Sequence, residues 1–179
     1  MSKIEYQCLT GGDAAEVLSD EYVNLYLANY DERPYLSGPL YSRERFLDRT
    51  GEQMKNPSFV LVSARDDYEN ELLGFAFGLM FEAGQWWGEE AAPAAPDMLA
   101  AQKFAVAELN VRWGQRRHGL GKTLLATLLA QQEAPYATLL ASPDAPAHAM
   151  LQRWGWQVVG PAHDDRTSDI LVLALDAGS

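Results

Sequence analysis

Hydrophobic and polar positions change period several times along the 179-residue chain. Weak alternation from Ile4 to Leu9 predicts a first strand, and Gly11-Gly12-Asp13 predicts a turn with a helix N-cap before Ala14. Helical spacing follows over residues 14–30, through Val17, Leu18, Tyr22, Leu25 and Tyr26, and again over 42–55, through Phe46, Leu47 and Met54. The connection between them is broken by Pro and Gly. The pattern then turns to strands: Phe59–Ala64, a polar turn at Asp66-Asp67-Tyr68-Glu69-Asn70-Glu71, and a long antiparallel partner from Leu72 to Phe81. Residues 83–103, rich in Ala and Pro, read as a loop with one helical turn. Beyond it come a strand (104–111), a glycine-rich turn, a helix (about 120–132), a strand (137–141), a helix (about 146–153) and strands near 156–160 and 169–175. Leu120, Leu124, Leu125, Leu128 and Leu129 give the helix one apolar face, and strand-helix-strand from 104 to 141 implies a parallel crossover. The expected class is α/β, one domain over residues 1–179.

Composition adds little to that, since 47% hydrophobic and 22% charged residues are ordinary for a globular domain. Charge adds more. A formal net charge of -11 disfavours nucleic acid and anionic membranes as partners. No stretch is apolar for long enough to span a bilayer, the N-terminus has no apolar leader core, and Cys8 stands alone without a disulfide partner, so a soluble cytoplasmic protein is expected. The acids are unevenly spread: residues 109–132 contain none, where about three would be expected from 25 in the whole chain. The same window holds Arg112, Arg116, Arg117, His118 and Lys122, which suggests an anionic ligand; a basic helix end answered by acids elsewhere is the plainer reading.

Three phosphate-binding patterns compete for Arg116-Arg117-His118-Gly119-Leu120-Gly121-Lys122-Thr123. A P-loop fits at Gly121-Lys122-Thr123 but needs glycine where Arg116 stands, which sets aside a nucleotide-dependent kinase. The dinucleotide fingerprint meets Leu124 where its third glycine belongs. What remains is [QR]-x-x-G-x-[GA], in which residues without side chains let backbone N–H groups approach an anion at the positive end of the following helix. Arg116, Arg117 and Lys122 would add charge-assisted contacts; a strand-to-helix turn that binds nothing is the alternative.

Glu108-Leu109-Asn110-Val111, then Arg116-x-x-Gly119-x-Gly121, then Leu124-Leu125 resemble motif A of the GNAT N-acetyltransferase superfamily. Asp144-x-x-Ala147-x-x-Met150-Leu151-x-x-Trp154-Gly155-Trp156 resembles its motif B. The motifs occupy about 104–132 and 137–160; residues 1–58 and 83–103 match only in layout. The resemblance implies a mixed sheet of six to seven strands flanked by helices, two parallel strands splayed at a coenzyme A site, and direct attack of an amine on acetyl-CoA or a related acyl-CoA. It implies CoA contacts at Leu109, Asn110 and Val111, along Arg116–Thr123, and at Asp144 and Ala147. The tyrosine that commonly protonates the departing CoA sulfur aligns with Leu151, so that acid is missing.

An alkylammonium acceptor, with a pKa near ~10, needs a base or a desolvating site. Glu108 is the first candidate, although alternation puts it on the face opposite Leu109 and Val111 unless a bulge intervenes. Glu82, at the end of the preceding strand, is the second. Ser142 and His148 are proton donors by chemistry, but a helix-capping hydroxyl and a surface imidazole are their plainer roles. Trp86 and Trp87, in the variable insertion, and Tyr35 and Tyr41, between the first helices, are candidate walls for an amine; loop anchoring and surface packing compete with that. His118, His148 and His163 form no ligand-like cluster, and no metal is expected. The leading expectation is an N-acetyltransferase for a small-molecule or peptide amine, and the alternative a non-catalytic acyl-CoA-binding or sensing module. Acceptor, acyl length and oligomeric state, a homodimer included, are left open.

Overall fold

The structure, a computed structural model, describes residues 3–175 and is of the mixed α/β class. The strands are β1 (Ile4–Thr10), β2 (Val60–Asp66), β3 (Leu72–Phe81), β4 (Lys103–Val111), β5 (Tyr136–Ala141), β6 (Gln157–Pro161) and β7 (Asp169–Ala174). The helices are α1 (Asp20–Tyr30), α2 (Arg43–Gln53), α3 (Pro96–Ala100), α4 (Leu120–Ala130) and α5 (Pro146–Arg153). Hydrogen bonding orders the strands β1-β2-β3-β4-β5-β7-β6. The described residues pack as two compact units, 3–79 with 108–131, and 80–107 with 132–175.

In the first unit β1, β2 and β3 are antiparallel, with Cys8 opposite Val62 and Leu61 opposite Phe77. Val60–Ala64 and Leu72–Gly78 are buried without interruption, as strands covered on both faces are. One face carries Phe75 and Phe77, which meet Tyr22 of α1 at 5.2 Å and Phe46 of α2 at 6.3 Å between ring centroids. The other is set by Gly74, where an added Cβ would lie 2.8 Å from the Asn110 carbonyl and 2.9 Å from Leu124 of α4. Alternation along one strand therefore supports α1 and α2 on one side and α4 on the other. The helix expected over 14–30 is interrupted: Gly11–Leu18 forms a 3-10 turn, and Ser19, extended and bonded through its N–H and hydroxyl to the Glu16 carbonyl, separates it from α1. The N-cap of that turn is Thr10, with Asp13 inside its first turn. For α2 the cap is Ser42, whose Oγ accepts from the Arg45 N–H at 3.2 Å.

In the second unit, Lys103–Val106 pairs in parallel with Tyr136–Leu139, and β7 lies antiparallel between β5 and β6. The insertion folds onto this unit with one short helix, α3, as its Ala/Pro pattern suggests. Lys103 has no solvent exposure. Its ammonium donates to the carbonyls of Ala101, Leu99 and Glu82 at 2.7, 3.0 and 3.3 Å, which satisfies a buried charge and ties down the insertion. Trp86 donates to the Ala92 carbonyl and Trp87 to Thr138 Oγ1, both at 2.9 Å, and both rings pack around Ala162, Ile170 and Val172.

Gly74 gives the sharpest test of this packing. Gly74→Ala is expected to cost on the order of 1–3 kcal/mol, because neither the Asn110 backbone nor Leu124 has room to retreat. Gly51→Ala, in α2 with open space around the new methyl, is expected to add about 0.5–1 kcal/mol. Urea unfolding midpoints of the two variants check the opposite signs.

Candidate active site

The first unit gathers a carboxylate, a set of phenols and a glycine turn around β4. Burial alternates along the end of this strand: Glu108 and Asn110 are buried, while Leu109 and Val111 on the opposite face are half-buried. Val111 faces α4, with its Cγ2 3.4 Å from where a Cβ on Gly121 would stand. Glu108 and Asn110 face α1, and the last turn of that helix supplies their partners. Tyr30 donates its hydroxyl to Glu108 Oε2 at 3.0 Å, and Asn29 donates its amide to Asn110 Oδ1 at 3.0 Å.

Glu108 is 8% exposed. Burial pushes its carboxyl up to about 7, against the pull of Arg49, the Tyr30 hydroxyl and the Asn110 amide, whose nitrogen completes no hydrogen bond. Arg49 is itself engaged, with the Tyr26 hydroxyl at 2.8 Å and the Leu40 carbonyl at 3.3 Å. Around the carboxylate the phenols form a continuous aromatic group. The Tyr30 ring stacks on Tyr41 at 4.5 Å and meets Tyr35 at 4.6 Å and Tyr26 at 4.5 Å. Burial and the neighbouring Glu108 raise the hydroxyls of Tyr26, Tyr30 and Tyr35, so these remain protonated donors at neutral pH. A carboxylate poised near pH 7 beside neutral donors can accept a proton under physiological conditions.

The glycine turn lies at the start of α4. Gly119 caps the helix at φ 80°, in the left-handed region that favours glycine, with open space around it. The first backbone N–H groups of α4 have no carbonyl one turn earlier to bind, and no acid lies in the first turn, so this end is shaped for an anion. The structure divides the cations of this window. Arg116 bonds to Glu32 at 2.7 Å, to Asn29 at 2.9 Å and to the Val111 carbonyl at 3.3 Å. Arg112 bonds to the Leu72 carbonyl and pairs with Glu71. Arg117, His118, Lys122 and Thr123 are exposed, while Leu120 is buried against the sheet.

The remaining candidates lie in the second unit. Glu82 is exposed and accepts from Gln102 at 2.7 Å. Trp86 and Trp87 are held as loop anchors by the bonds described above. Asp144 does not cap α5: the cap is Ala145, with Pro146 following, and the Asp144 N–H turns back to Ser142 Oγ at 3.3 Å. Ala147 is half-buried on α5, and Leu151, in the tyrosine position of motif B, is buried at 3% exposure. His148, expected at the surface, is half-buried and pairs with Asp169 at 2.9 Å. In the sequence Tyr26 stands out only as a position on the apolar face of a helix, and Asn29, Tyr30 and Arg49 do not stand out; the signal for Tyr26 and Tyr30 is an i, i+4 pair of tyrosines on a helix facing the strand of Glu108.

The family model of the Acetyltransferase (GNAT) family matches residues 19–156. No curated protein sequence matches the chain. Solved structures match its fold over nearly the whole length. PaiA N-acetyltransferase from Thermoplasma acidophilum, in complex with coenzyme A, is 14% identical with a TM-score of 0.64, covering 97% of this chain and 99% of that one. NAA60 from Arabidopsis thaliana, in complex with a bisubstrate analogue, is 16% identical at 0.63, covering 98% and 100%. Aminoglycoside 6'-acetyltransferase type Ii is 17% identical at 0.60, covering 97% and 99%.

The burial of Glu108 has a consequence for stability. The native state holds a proton on this group that the unfolded chain has released above the ordinary value of 4.5, so its contribution falls as pH rises toward about 7. From pH 5 to pH 8, Glu108→Gln is expected to gain on the order of 2–3 kcal/mol relative to the native protein. Urea unfolding of both proteins at the two pH values measures this; a difference that does not change with pH contradicts it.

Proposed function

The chain belongs to the GNAT acetyltransferase family, and on that premise we propose that it transfers an acetyl or related acyl group from acyl-CoA to an amine, with Glu108 as the base. The observation that carries this reading is a carboxylate 8% exposed, raised to about 7 and hydrogen-bonded by Tyr30, on a strand that leads into an anion-shaped helix start. The glycine turn fits a pyrophosphate through the N–H groups of Leu120 and Gly121, since the Thr123 N–H is bonded to the Gly119 carbonyl, with Arg117 and Lys122 adding positive charge. Arg116 contributes here by bracing the turn against Glu32 and Asn29 of the first unit. The main chain of Leu109–Val111 is the proposed support for the acyl carbonyl.

When bound, acyl-CoA supplies an activated thioester. Glu108 takes the proton from the acceptor, directly or through a water, and the tyrosine hydroxyls hold the carboxylate in place. Leu151 offers no acid to the departing sulfur, and a thiol with a pKa of ~8.5 leaves tolerably as thiolate near neutral pH. The acceptor is a small-molecule or peptide amine.

Two measurements test the reading together. Calorimetry is expected to show one acetyl-CoA bound per chain, with affinity lowered at least ~10-fold in Gly121→Val, where a branched side chain meets Val111 and crowds the N–H groups. With a panel of amines, release of CoA thiol is expected to rise with pH through about 7 and to fall roughly 10²–10⁴-fold in Glu108→Gln with acetyl-CoA affinity unchanged. Binding without turnover of any amine would instead favour a sensing module, for which the buried Leu151 is the supporting observation.

A further inference from the structure

We propose that two copies of this chain pair antiparallel through the open edge of β1, around a twofold axis at Tyr6, so that the sheet of one copy continues into the sheet of the other.

β1 ends the strand order and lacks the features that usually protect an edge. Residues 4–10 contain no Pro, Gly or Lys, and they pair with β2 one for one from Ile4–Asp66 to Thr10–Val60. Every one of them but Leu9 is exposed. The other terminal strand is blunted. β6 shifts register between Val158 and Gly160 and ends in Pro161, whose carbonyl is taken by the Ala92 N–H at 2.8 Å.

Pairing with β2 fixes which main-chain groups of β1 are free. The Asp67 N–H donates to the Lys3 carbonyl at 2.9 Å, and the Lys3 N–H to Asp67 Oδ1 at 2.7 Å, so Lys3 turns its main chain toward β2. Alternation turns Glu5, Gln7 and Leu9 the same way and points the N–H and C=O groups of Ile4, Tyr6, Cys8 and Thr10 out from the edge. An antiparallel partner must therefore set even positions against even ones.

Side chains select the register and the partner. Ile4, Tyr6 and Cys8 share one face without a charge among them, and Ile4 is 40% and Tyr6 37% exposed. Glu5 and Gln7 lie on the other face. Around a twofold axis at Tyr6, Ile4 of one copy meets Cys8 of the other, the two Tyr6 rings meet, and Glu5 meets Gln7. Apolar side chains then face apolar ones and carboxylate faces amide. Each pair of outward-facing residues exchanges two N–H···O bonds. An axis at Gln7 would instead set Glu5 against Leu9 and Ile4 against Thr10. With a net charge of -11, two copies repel over most of their surface, whereas the only acid of β1 has no acid opposite it in this pairing.

A strand edge buries an area at the small end of the range for specific interfaces, so the dimer is expected to be weak. Sedimentation equilibrium of the native chain is expected to show a monomer–dimer equilibrium with a dissociation constant of roughly 10–500 µM. Tyr6→Glu, which sets like charges against each other on the axis, is expected to weaken association at least ~10-fold, and Tyr6→Phe to keep it within about 3-fold. Circular dichroism confirms that both variants are folded. Amide hydrogen exchange needs no variant: the N–H groups of Ile4, Tyr6 and Cys8 are expected to exchange roughly 2- to 4-fold more slowly at ~1 mM than at ~50 µM protein. A native chain that stays monomeric at ~1 mM overturns the proposal and leaves the edge to a strand of another protein. A folded Tyr6→Glu variant that dimerises as tightly as the native chain also overturns it, as does a native dimer in which exchange at Ile4, Tyr6 and Cys8 does not slow.

Discussion

A carboxylate with 8% exposure is costly to hold, and much of the first unit is arranged around keeping Glu108 there. One charged group removed from water would cost several kcal/mol if left alone. The fold reduces this in two ways: the Tyr30 hydroxyl and the nearby Asn110 and Arg49 favour the ionised form, and the remaining imbalance appears as a carboxyl shifted up to about 7. That shift makes the group a usable proton acceptor near neutrality. The stability lost and the chemistry gained come from the same burial.

Position follows from the sheet. Gly74 lets β3 approach the Asn110 carbonyl and α4 closely, while Phe75 next to it anchors Tyr22 of α1 on the other face. Because side chains alternate, β4 shows Glu108 and Asn110 to α1 and Val111 to α4. Within this unit, one strand thus serves the base on one face and the glycine turn on the other. Arg116 connects them: its side chain reaches Glu32 and Asn29, and Asn29 in turn holds Asn110.

Elements with strong periodicity were legible in the sequence. The strand from Leu72 to Phe81 and the helix from Pro146 to Arg153 appear with the bounds their patterns predict, and the parallel pairing of β4 with β5 follows from strand-helix-strand order. Less legible were features decided by a single backbone turn or by long-range partners. Ser19 splits a continuous helical pattern because its extended backbone stops the turn before it. Ala145 replaces Asp144 as the cap of α5 because Pro146 fixes the first helical position. Alternation assigned Glu108 its face, but its burial depends on Tyr30, 78 positions away, and on rings from a segment with no repeating pattern. Likewise the arginines of the acid-free window look alike in sequence. Only packing shows that Arg112 and Arg116 are paired with acids of the same unit while Arg117 is exposed.

The central claim is that Glu108 titrates near neutrality because the fold buries it among tyrosines. Carbon-13 NMR of the glutamate side-chain carboxyls, with Glu108→Gln used to assign the resonance, measures this in the native protein. The account predicts one carboxyl with a midpoint at about 7, absent from the variant. A Glu108 midpoint at the ordinary value of 4.5 would contradict it.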